Sequence, residues 1–437
     1  MSDKAYFKGY DKMGRPINYI YVKDQFSIEV TEKLGILSVE TSRKLLKGSI
    51  ETGIVILDMN GFGINNMDYQ LSSSLISMRL ARARIYQQSI YSHSFHRHFL
   101  GAFPSTSMKA CLWLCQNNDY CRTANYRPSE QQCYMYEENS YVGTISATTD
   151  GSIVLAFNLC PSDGSSQEPA SICFGTSSRQ PVSMQTVMNS LQLIKQYSDI
   201  NTVGFVLSPG EVWVSPIGAS SMTVYSFDDY LLIRNVAVGE SFGYFDLDSQ
   251  MRPIVAYGGQ GLYLSWLNTI VDNGQGFWTP CISVTGYIVG LLENMNLINI
   301  YNQSNGAFAY TINGSTNTGA SSYRKYACTV HGQTLYLASQ NAIQQVSIGP
   351  PGGTKIFTSI FNYTTNNPGF ITTDASKRLY SSCSDCSSLN KTFILTTNGT
   401  VLAQWPQNLA FAQGKASKYK YYFVTSTVSN ILSFYEY

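Results

Sequence analysis

The sequence predicts a mainly β protein of several domains, and three observations support that class. The chain has 437 residues, enough for about two to four domains of roughly 100–200 residues each. All ten cysteines lie after residue 110, and all five N-glycosylation sequons lie after residue 300. Apolar strand-like segments with polar turns recur through the last half of the chain, and the final ones begin 43 to 46 residues apart.

The composition is typical of an extracellular, β-rich surface. Charged residues make up 13% of the chain, about half of the usual share of roughly 25%, whereas tyrosine is abundant with 31 residues. The net charge of +1 offers no basic surface for nucleic acid. No apolar run approaches the ~20 residues of a membrane span. We therefore expect no nucleic-acid partner and no transmembrane segment.

The distribution of charge divides the chain near residue 70. Residues 1–70 hold nine Lys or Arg, nine Asp or Glu and no cysteine, whereas the much longer remainder holds 20 basic and 19 acidic residues. Cysteines and sequons together predict a secreted location for residues 85–437. Residues 1–20, however, contain several charged side chains and no apolar signal-peptide core. They predict a cytoplasmic location if the first segment is genuine.

Residues 1–70 have the pattern of an α/β segment. A turn at Asp11–Pro16 precedes a strand at Ile17–Val22 that is rich in β-branched and aromatic residues. Leucines at helical spacing predict a helix over Glu32–Leu46, and an apolar strand follows at Ile54–Met59. Strand, helix and strand in this order form half of a parallel α/β unit.

The same segment resembles the CRAL-TRIO lipid-binding family through the stretches GYDKMGRPINYIYV, ETSRKLL and ETGIVILDMNGFGINNMDY. The resemblance implies an apolar pocket for phosphatidylinositol or a similar lipid above the floor of a β-sheet. The family's later strands, its tyrosine-proline-glutamate motif and its gating helix do not follow Tyr69, so we predict an incomplete and inactive lipid pocket. We interpret residues 71–84, which begin with a Ser-rich step, as a seam between segments of separate origin.

The stretch ACLWLCQNNDYCRTANYRPSEQQCYMY predicts a small module held together by disulfides. Ser105 or Ser107 can cap a helix that places Cys111 and Cys115 one turn apart on the same face. The spacing of the four cysteines does not fit the paired C-x-x-C pattern of structural zinc, which favours disulfides. Four cysteines allow three connectivities, and the sequence pattern alone leaves all three open.

Residues 85–160 resemble the PAN/apple domain, including its strand CRTANY after the third cysteine. The resemblance implies two disulfides, Cys111–Cys133 and Cys115–Cys121. It also implies a module that binds protein or carbohydrate and is not an enzyme.

Three of the four histidines of the chain lie just upstream of the four cysteines, at His93, His96 and His98. Their spacing would allow a metal site. No Asp or Glu lies nearby in the sequence to complete or orient such a site. We therefore interpret the three histidines as an exposed polar loop at the entry to the module, and we predict no metal.

Residues 161–200 form a predicted linker with a short helix. The stretch CPSDGSSQEPASICFGTSSRQP is rich in Ser, Gly and Pro, and a disulfide between Cys160 and Cys173 can close it. The following stretch, SMQTVMNSLQLIKQY, predicts a helix that leads into the last domain.

Residues 201–437 predict a β-propeller of five to seven blades, because four-stranded blades repeat at about 40–50 residues. Strand segments of this domain begin at five points, near Val224, Tyr287, Gln333, Lys377 and Lys420. An Asn-Gly step at Asn398 is typical of a two-residue hairpin turn. We expect the ring to close between Val203–Pro216 and the C-terminal strand. A pair of β-sandwiches is the alternative fold.

The propeller segment offers little catalytic chemistry. Two carboxylates that met in a central channel would suit a glycosidase, so a propeller hydrolase is one alternative function. The candidate carboxylates are sparse: Asp228, Asp229, Asp246, Asp248, Asp272, Glu293, Asp374 and Asp385. The motif CSDC, Cys383 to Cys386, lacks the strand-to-helix context of a redox site and favours a short loop disulfide. We predict a further disulfide, Cys281–Cys328, between neighbouring blades.

These observations favour a secreted, non-enzymatic recognition protein that binds extracellular protein or glycan through its PAN/apple and propeller surfaces. The sequence assigns no catalytic residue, metal ligand or cofactor. Glycans are predicted at five asparagines: Asn302, Asn313, Asn362, Asn390 and Asn398. The rival hypothesis, from a different class, is a cytosolic protein that binds or transfers a lipid such as phosphatidylinositol with residues 1–70.

Overall fold

The structure of the chain is a computed structural model. It describes residues 5–10, 16–21, 54–58, 83–94, 98–157, 171–172, 181–198, 200, 202–216, 218–239, 243–257, 260–272, 276–283, 285–292, 297–313, 323–339, 342–349, 351–352, 355–363, 370–382, 391–405, 409, 411–417, 420–427 and 431–437. The chain divides into two compact units, Met1–Ala83 and Arg84–Tyr437, and each is described by itself.

The first unit contains a three-stranded sheet. Its strands are β1 (Ala5–Tyr10), β2 (Pro16–Tyr21) and β3 (Ile54–Asp58), in the order β1-β2-β3. Strand β1 pairs antiparallel with β2, and β2 pairs parallel with β3. The parallel pair agrees with the expected α/β unit, because parallel neighbours need a crossover between them. The predicted helix over 32–46 lies outside the described residues.

The second unit begins with a disulfide-linked module, which we call the cysteine module (residues 84–157). Its elements are β4 (Ala83–Gln87), β5 (Ser89–Ser92), β6 (Phe99–Pro104), α1 (Met108–Asn117), β7 (Thr123–Arg127), β8 (Gln132–Tyr136), β9 (Thr144–Ala147) and β10 (Ile153–Phe157). Five strands form a sheet in the order β4-β10-β7-β8-β6, and β5 pairs with β9. Ser107 caps α1, since its hydroxyl accepts a hydrogen bond from the Ala110 amide.

A short connecting region follows the cysteine module. It contains β11 (Ser171–Ile172), β12 (Val182–Ser183) and α2 (Met184–Asn189). The stretch predicted as one helix is helical only as far as Asn189, and its second half is a strand, β13 (Gln192–Tyr197). A short apolar run does not distinguish helix from strand, and here pairing with the C-terminal strand decides for the strand.

Among the described residues, the remaining strands form six propeller blades of four strands each. Four of the blades are separate sheets, and the other two are joined through their inner strands into one eight-stranded sheet. Blade 1 is β14 (Thr202–Ser208), β15 (Glu211–Pro216), β16 (Ser221–Ser226) and β17 (Leu232–Ala237); blade 2 is β18 (Phe245–Leu247), β19 (Pro253–Tyr257), β20 (Gly261–Leu264) and β21 (Thr269–Val271); blade 3 is β22 (Phe277–Ile282), β23 (Tyr287–Leu292), β24 (Leu297–Asn302) and β25 (Phe308–Asn313). Blade 4 is β26 (Tyr323–His331), β27 (Thr334–Ser339), β28 (Ala342–Ser347) and β29 (Thr358–Asn362); blade 5 is β30 (Phe370–Thr373), β31 (Arg378–Ser382), β32 (Thr392–Thr396) and β33 (Val401–Trp405); blade 6 is β34 (Phe411–Ala416), β35 (Tyr421–Ser426), β36 (Leu432–Glu436) and β13.

The strand that closes the propeller ring is not the one predicted from the sequence. Strand β13, from the segment predicted as a linker, pairs antiparallel with the C-terminal strand β36 and completes blade 6. The predicted partner segment, Val203–Pro216, instead forms the first two strands of blade 1. An outer strand supplied from the N-terminal side ties the two ends of the domain together by backbone hydrogen bonds.

An apolar core lies between each pair of neighbouring blades. Between blades 1 and 2, for example, Trp213 and Met222 pack with Leu247 and Tyr257. Corresponding clusters join the other five pairs of blades. Helix α2 contributes Met184 to the cluster between blades 5 and 6, so the helix is part of the propeller core. In the described part of the chain, no helix has the length and apolar character needed to cross a membrane.

Candidate functional site

Two disulfides fix the helix of the cysteine module to its sheet. Cys111 and Cys115 lie on the buried face of α1. The structure joins Cys111 to Cys133 in β8, and Cys115 to Cys121 in the loop before β7. This is the pairing that the PAN/apple resemblance implies.

A buried charge cluster, which we call the interface cluster (His98, Glu137 and Lys415), joins the cysteine module to the propeller. Glu137 follows β8, and Lys415 lies in β34, the innermost strand of blade 6. The Lys415 ammonium lies 2.7 Å from the Glu137 carboxylate, and His98 Nδ1 lies 2.8 Å from it. All three side chains are at most 3% exposed, so the ion pair is shielded from solvent screening.

The interface cluster determines the charge state of its carboxylate. Burial by itself raises the pKa of a carboxyl group. The Lys415 ammonium and the hydrogen bond with His98 oppose this effect and lower the pKa of Glu137 to about 2. Glu137 is therefore ionised at any ordinary pH, which balances the buried charge of Lys415.

Arg122 makes a second connection beside the interface cluster. Because Thr123 pairs with Tyr136 across the module sheet, Arg122 and Glu137 lie opposite each other at the same end of that sheet. The Arg122 guanidinium donates hydrogen bonds to the carbonyl oxygens of Ala416 (3.1 Å) and Ser417 (2.8 Å). The same end of the module sheet thus supplies an anion and a cation to blade 6.

Two further blades contact the cysteine module. The Gly332 amide, in the turn between β26 and β27, donates to the carbonyl oxygen of Ser94 at 3.2 Å. The Lys377 ammonium, in the turn between β30 and β31, donates to the carbonyl oxygen of Tyr141 at 3.4 Å. These contacts all lie where inner strands end, so the module covers that face of blades 4, 5 and 6.

The histidines predicted to lie in an exposed loop are not all exposed. His98 is 2% exposed and contacts Glu137, so the prediction of an exposed loop without an acidic neighbour was wrong at this residue. Glu137 lies 39 residues from His98 in the chain, and the folded sheet brings the two side chains together. His93 packs against the rings of Phe99 and Tyr136, and His96 lies outside the described residues.

Two turns of the propeller share a motif that the sequence analysis missed. Asp248 and Arg252 follow β18, and Asp374 and Arg378 follow β30, with the same D-x-x-x-R spacing. In both turns the aspartate accepts hydrogen bonds from two turn amides and one from the arginine Nε, at 2.7 Å and 2.6 Å respectively. Repetition of D-x-x-x-R was the signal that would have located these turns.

The inner strands of blades 1 to 5 enclose a central channel with a small cavity of about 40 Å³. Its lining includes one carboxylate, from Asp246, and four aromatic residues: Phe205, Tyr244, Phe245 and Phe370. The residues that contact the cysteine module are not among those that line the cavity.

The predicted carboxylates do not gather in this channel. Of those that the structure describes, Asp246 alone lines the cavity. Asp248 and Asp374 pair with arginines as above, and Asp272 accepts hydrogen bonds from Asn299 and Tyr301. Glu293 and Asp385 lie outside the described residues. Among the described residues, no three His, Cys, Asp or Glu side chains are grouped for a metal ion.

The remaining predicted residues are placed as follows. Cys281 and Cys328 form a disulfide between blades 3 and 4. The sequons Asn313, Asn362 and Asn398 are exposed and Asn302 is half-buried. Outside the described residues lie Cys160, Cys173, Cys383, Cys386 and Asn390.

The fold and contacts define a multidomain protein in which a disulfide-linked module is fixed to a six-bladed propeller. Residues 86–160 match the family model of the PAN domain, and residues 1–93 match that of the CRAL/TRIO domain. Both resemblances seen in the sequence are thereby confirmed. The two matches overlap over residues 86–93, past the predicted seam at 71–84. The proposed domain boundaries stay predictions.

The chain is similar to two curated fungal proteins over its first segment. A CRAL-TRIO domain-containing protein of Schizosaccharomyces pombe is 40% identical over 70 residues, which are 15% of this chain and 16% of that protein. A phosphatidylinositol transfer protein of Eremothecium gossypii is 35% identical over 79 residues, or 17% of this chain and 18% of that protein. The chain thus spans less than a fifth of either relative.

Solved propellers have a related shape over the second unit. A putative gluconolactonase has a TM-score of 0.43 and 13% identity, over 56% of this chain and 91% of its own. The WD40 propeller domain of Doa1 has a TM-score of 0.37 and 11% identity, over 56% of this chain and 97% of its own. Virginiamycin B lyase from Staphylococcus aureus has a TM-score of 0.38 and 13% identity, over 57% of this chain and 100% of its own. Because these TM-scores and identities are low, the propeller fold is assigned from the pairing of strands within this structure.

Proposed function

We propose that the PAN module and the propeller act as one secreted, glycosylated and non-enzymatic recognition unit for extracellular protein or carbohydrate. The observation that supports this most is the interface cluster. A buried ion pair with additional hydrogen bonds holds two binding folds in one orientation, which gives a partner a single preorganised surface. Three disulfides in the described residues suit an oxidising compartment.

Exposed sequons also support the proposal. Asn398 lies in the turn between β32 and β33, and its Oδ1 accepts a hydrogen bond from the Thr400 hydroxyl of its own sequon at 3.1 Å. Asn313 and Asn362 end the outer strands of blades 3 and 4. We therefore expect glycans at these three positions, and a lower occupancy at the half-buried Asn302.

The first experiment tests the compartment, on protein purified from its own cells. Intact mass is measured before and after enzymatic removal of N-glycans, and thiols are alkylated without reduction. The proposal predicts a mass loss, deamidation at Asn398 and no alkylated Cys111, Cys115 or Cys281. An unchanged mass together with alkylated cysteines would rule out a secreted unit.

The second experiment tests recognition. The full chain is applied to an array of glycans and to a panel of purified extracellular domains, with heat-unfolded chain as the control. Saturable binding to a defined glycan or domain is expected. Lys415→Met should weaken that binding, because it removes the buried ion pair that orients the module on the propeller. No saturable binding to either set would contradict the proposal.

The alternative is a lipid-binding protein, and the CRAL/TRIO match over residues 1–93 favours it. One relative is described as a phosphatidylinositol transfer protein. We propose this only for the first segment. Lipid extraction of the same purified protein separates the two hypotheses. A stoichiometric phosphoinositide together with reduced thiols would support the lipid hypothesis and contradict the secreted one.

A further inference from the structure

Exposed apolar side chains are concentrated on the outer strands of two neighbouring blades, 6 and 1. In the described part of the chain eleven large apolar side chains are exposed, and five of them lie in β13 or in and just before β17: Leu193, Ile194, Leu231, Leu232 and Ile233. We call these five residues the apolar flank. Each of them is 44–54% exposed. Single exposed apolar residues are ordinary on a protein surface, whereas a contiguous group indicates an interaction site.

Tyr230 brings the two parts of the apolar flank together. It lies in the turn before β17, and its ring centroid lies 5.5 Å from that of Phe434 in β36. Its hydroxyl donates a hydrogen bond to Glu436, also in β36, and its carbonyl oxygen accepts one from Tyr197 in β13. Because β36 pairs with β13 along its length, this turn of blade 1 lies beside β13. Leu231 and the residues after it therefore continue the exposed apolar surface of β13.

Both strands of the apolar flank are edges of their blades. Among the described residues, β13 has β36 as its one strand neighbour, and β17 has β16. An exposed edge is usually protected by charged side chains or by a covering segment. Apolar residues on two adjacent edges instead favour contact with another chain.

Predicted glycans lie on the other side of the propeller ring. The sequon asparagines that the structure describes lie in blades 3, 4 and 5, and the sequence of blades 6 and 1 contains no sequon. Glycans are bulky and cover the surface around them. The apolar flank would therefore stay accessible to a protein partner in the glycosylated chain. This step rests on the glycosylation that the proposed function includes.

Charges beside the apolar flank are suited to a second copy of the same surface. Lys195 is exposed in β13, and Asp228 is exposed in the turn before β17. Asp229 instead holds that turn, because its carboxylate accepts a hydrogen bond from the Leu231 amide at 3.1 Å. In a two-fold interface each contact between two different residues occurs twice. We propose that the apolar flank binds a second copy of this chain, with Lys195 of each copy facing Asp228 of the other.

The first test is sedimentation equilibrium of the full glycosylated chain at about 1 to 100 µM. A reversible dimer is expected. Leu232→Glu should raise its dissociation constant by at least about tenfold, because it places a charge in the apolar centre of the interface. Ile356→Glu is the matched control, since Ile356 is 70% exposed and lies on blade 4, and it should leave the dissociation constant unchanged.

Exchanging the charges tests the two-fold arrangement. Lys195→Asp and Asp228→Lys should each weaken dimerisation by about tenfold, because two contacts between like charges replace two ion pairs. An equimolar mixture of the two variants should form a heterodimer of unmodified affinity, since both contacts then join opposite charges. Recovery in the mixture also shows that each variant is folded. A mixture as weak as either variant alone would overturn the two-fold arrangement.

A monomer at every concentration, or a dimer unaffected by Leu232→Glu, would overturn the proposal. A monomer whose Leu232→Glu variant loses saturable binding to a glycan or an extracellular domain would overturn it as well, and would assign the apolar flank to recognition. A purified chain without glycans would contradict the proposed function, whereas its sedimentation would still show whether the dimer forms.

Discussion

Removing Lys415 from the interface cluster should cost a large part of the stability of the second unit. Glu137 is fully buried and Lys415 is 3% exposed, with 2.7 Å between their charged groups. Lys415→Met would leave the Glu137 carboxylate buried, with the His98 ring nitrogen as its remaining close side-chain partner. Breaking a buried pair in this way costs about 3–5 kcal/mol.

The assay is urea denaturation of the full chain, followed by near-ultraviolet circular dichroism. Glu137→Gln should be destabilising to a similar extent, because it leaves the ammonium of Lys415 buried. The double variant Glu137→Gln/Lys415→Met should cost less than the sum of the two, with a coupling of about 2 kcal/mol or more. Additive costs would mean that the two charges do not interact.

Lys420→Met provides the matched control in the same blade. Lys420 is 50% exposed and lies 2.9 Å from Glu436, and exposed pairs contribute about 0–1 kcal/mol. If Lys415→Met shifts the urea midpoint no further than Lys420→Met does, the buried ion pair adds no more stability than an exposed one.

Three further predictions follow from the described contacts. Burial lowers the pKa of His331 from 6.5 to about 3, and the pKa of Glu137 is lowered from 4.5 to about 2. The contribution of both groups to stability should therefore be complete above pH 6.5 and should fall as acid is added. A melting temperature that is flat from pH 7 to pH 3 would contradict this. Gly414→Ala should cost about 1–3 kcal/mol in urea denaturation, because the new Cβ would lie 1.7 Å from the Tyr421 hydroxyl; Gly243→Ala, with its nearest neighbour at 3.7 Å, should be close to neutral. Replacing Cys281 and Cys328, 47 residues apart, by serine should cost about 4 kcal/mol of loop entropy, against about 2 kcal/mol for the pair 6 residues apart at Cys115 and Cys121; equal costs would argue against the loop-entropy explanation.

Local patterns in the sequence were sufficient for much of the fold. The cysteine spacing and the strand after Cys121 led to the PAN/apple resemblance. Recurring strands predicted a propeller of five to seven blades, and the structure has six. Such features depend on residues close together in the chain, where helix and strand periodicity is visible.

Features that depend on distant residues were not accessible from the sequence. The closing strand, Gln192–Tyr197, was predicted as part of a helix, and the structure pairs it with β36 at the other end of the domain. Glu137 and Lys415 are separated by 278 residues, so no local pattern could pair them. Asp246 was one of eight candidate carboxylates, and only the convergence of inner strands distinguishes it from the others.

A rigid joint between the PAN module and the propeller fixes the distance between points on the two folds. Spin labels introduced as unnatural amino acids at Trp113 on α1 and at Ile356 before β29, both exposed, allow their distance distribution to be measured in the full chain. A single narrow distribution is expected, and Lys415→Met should broaden it. A broad distribution in the unmodified interface would contradict it.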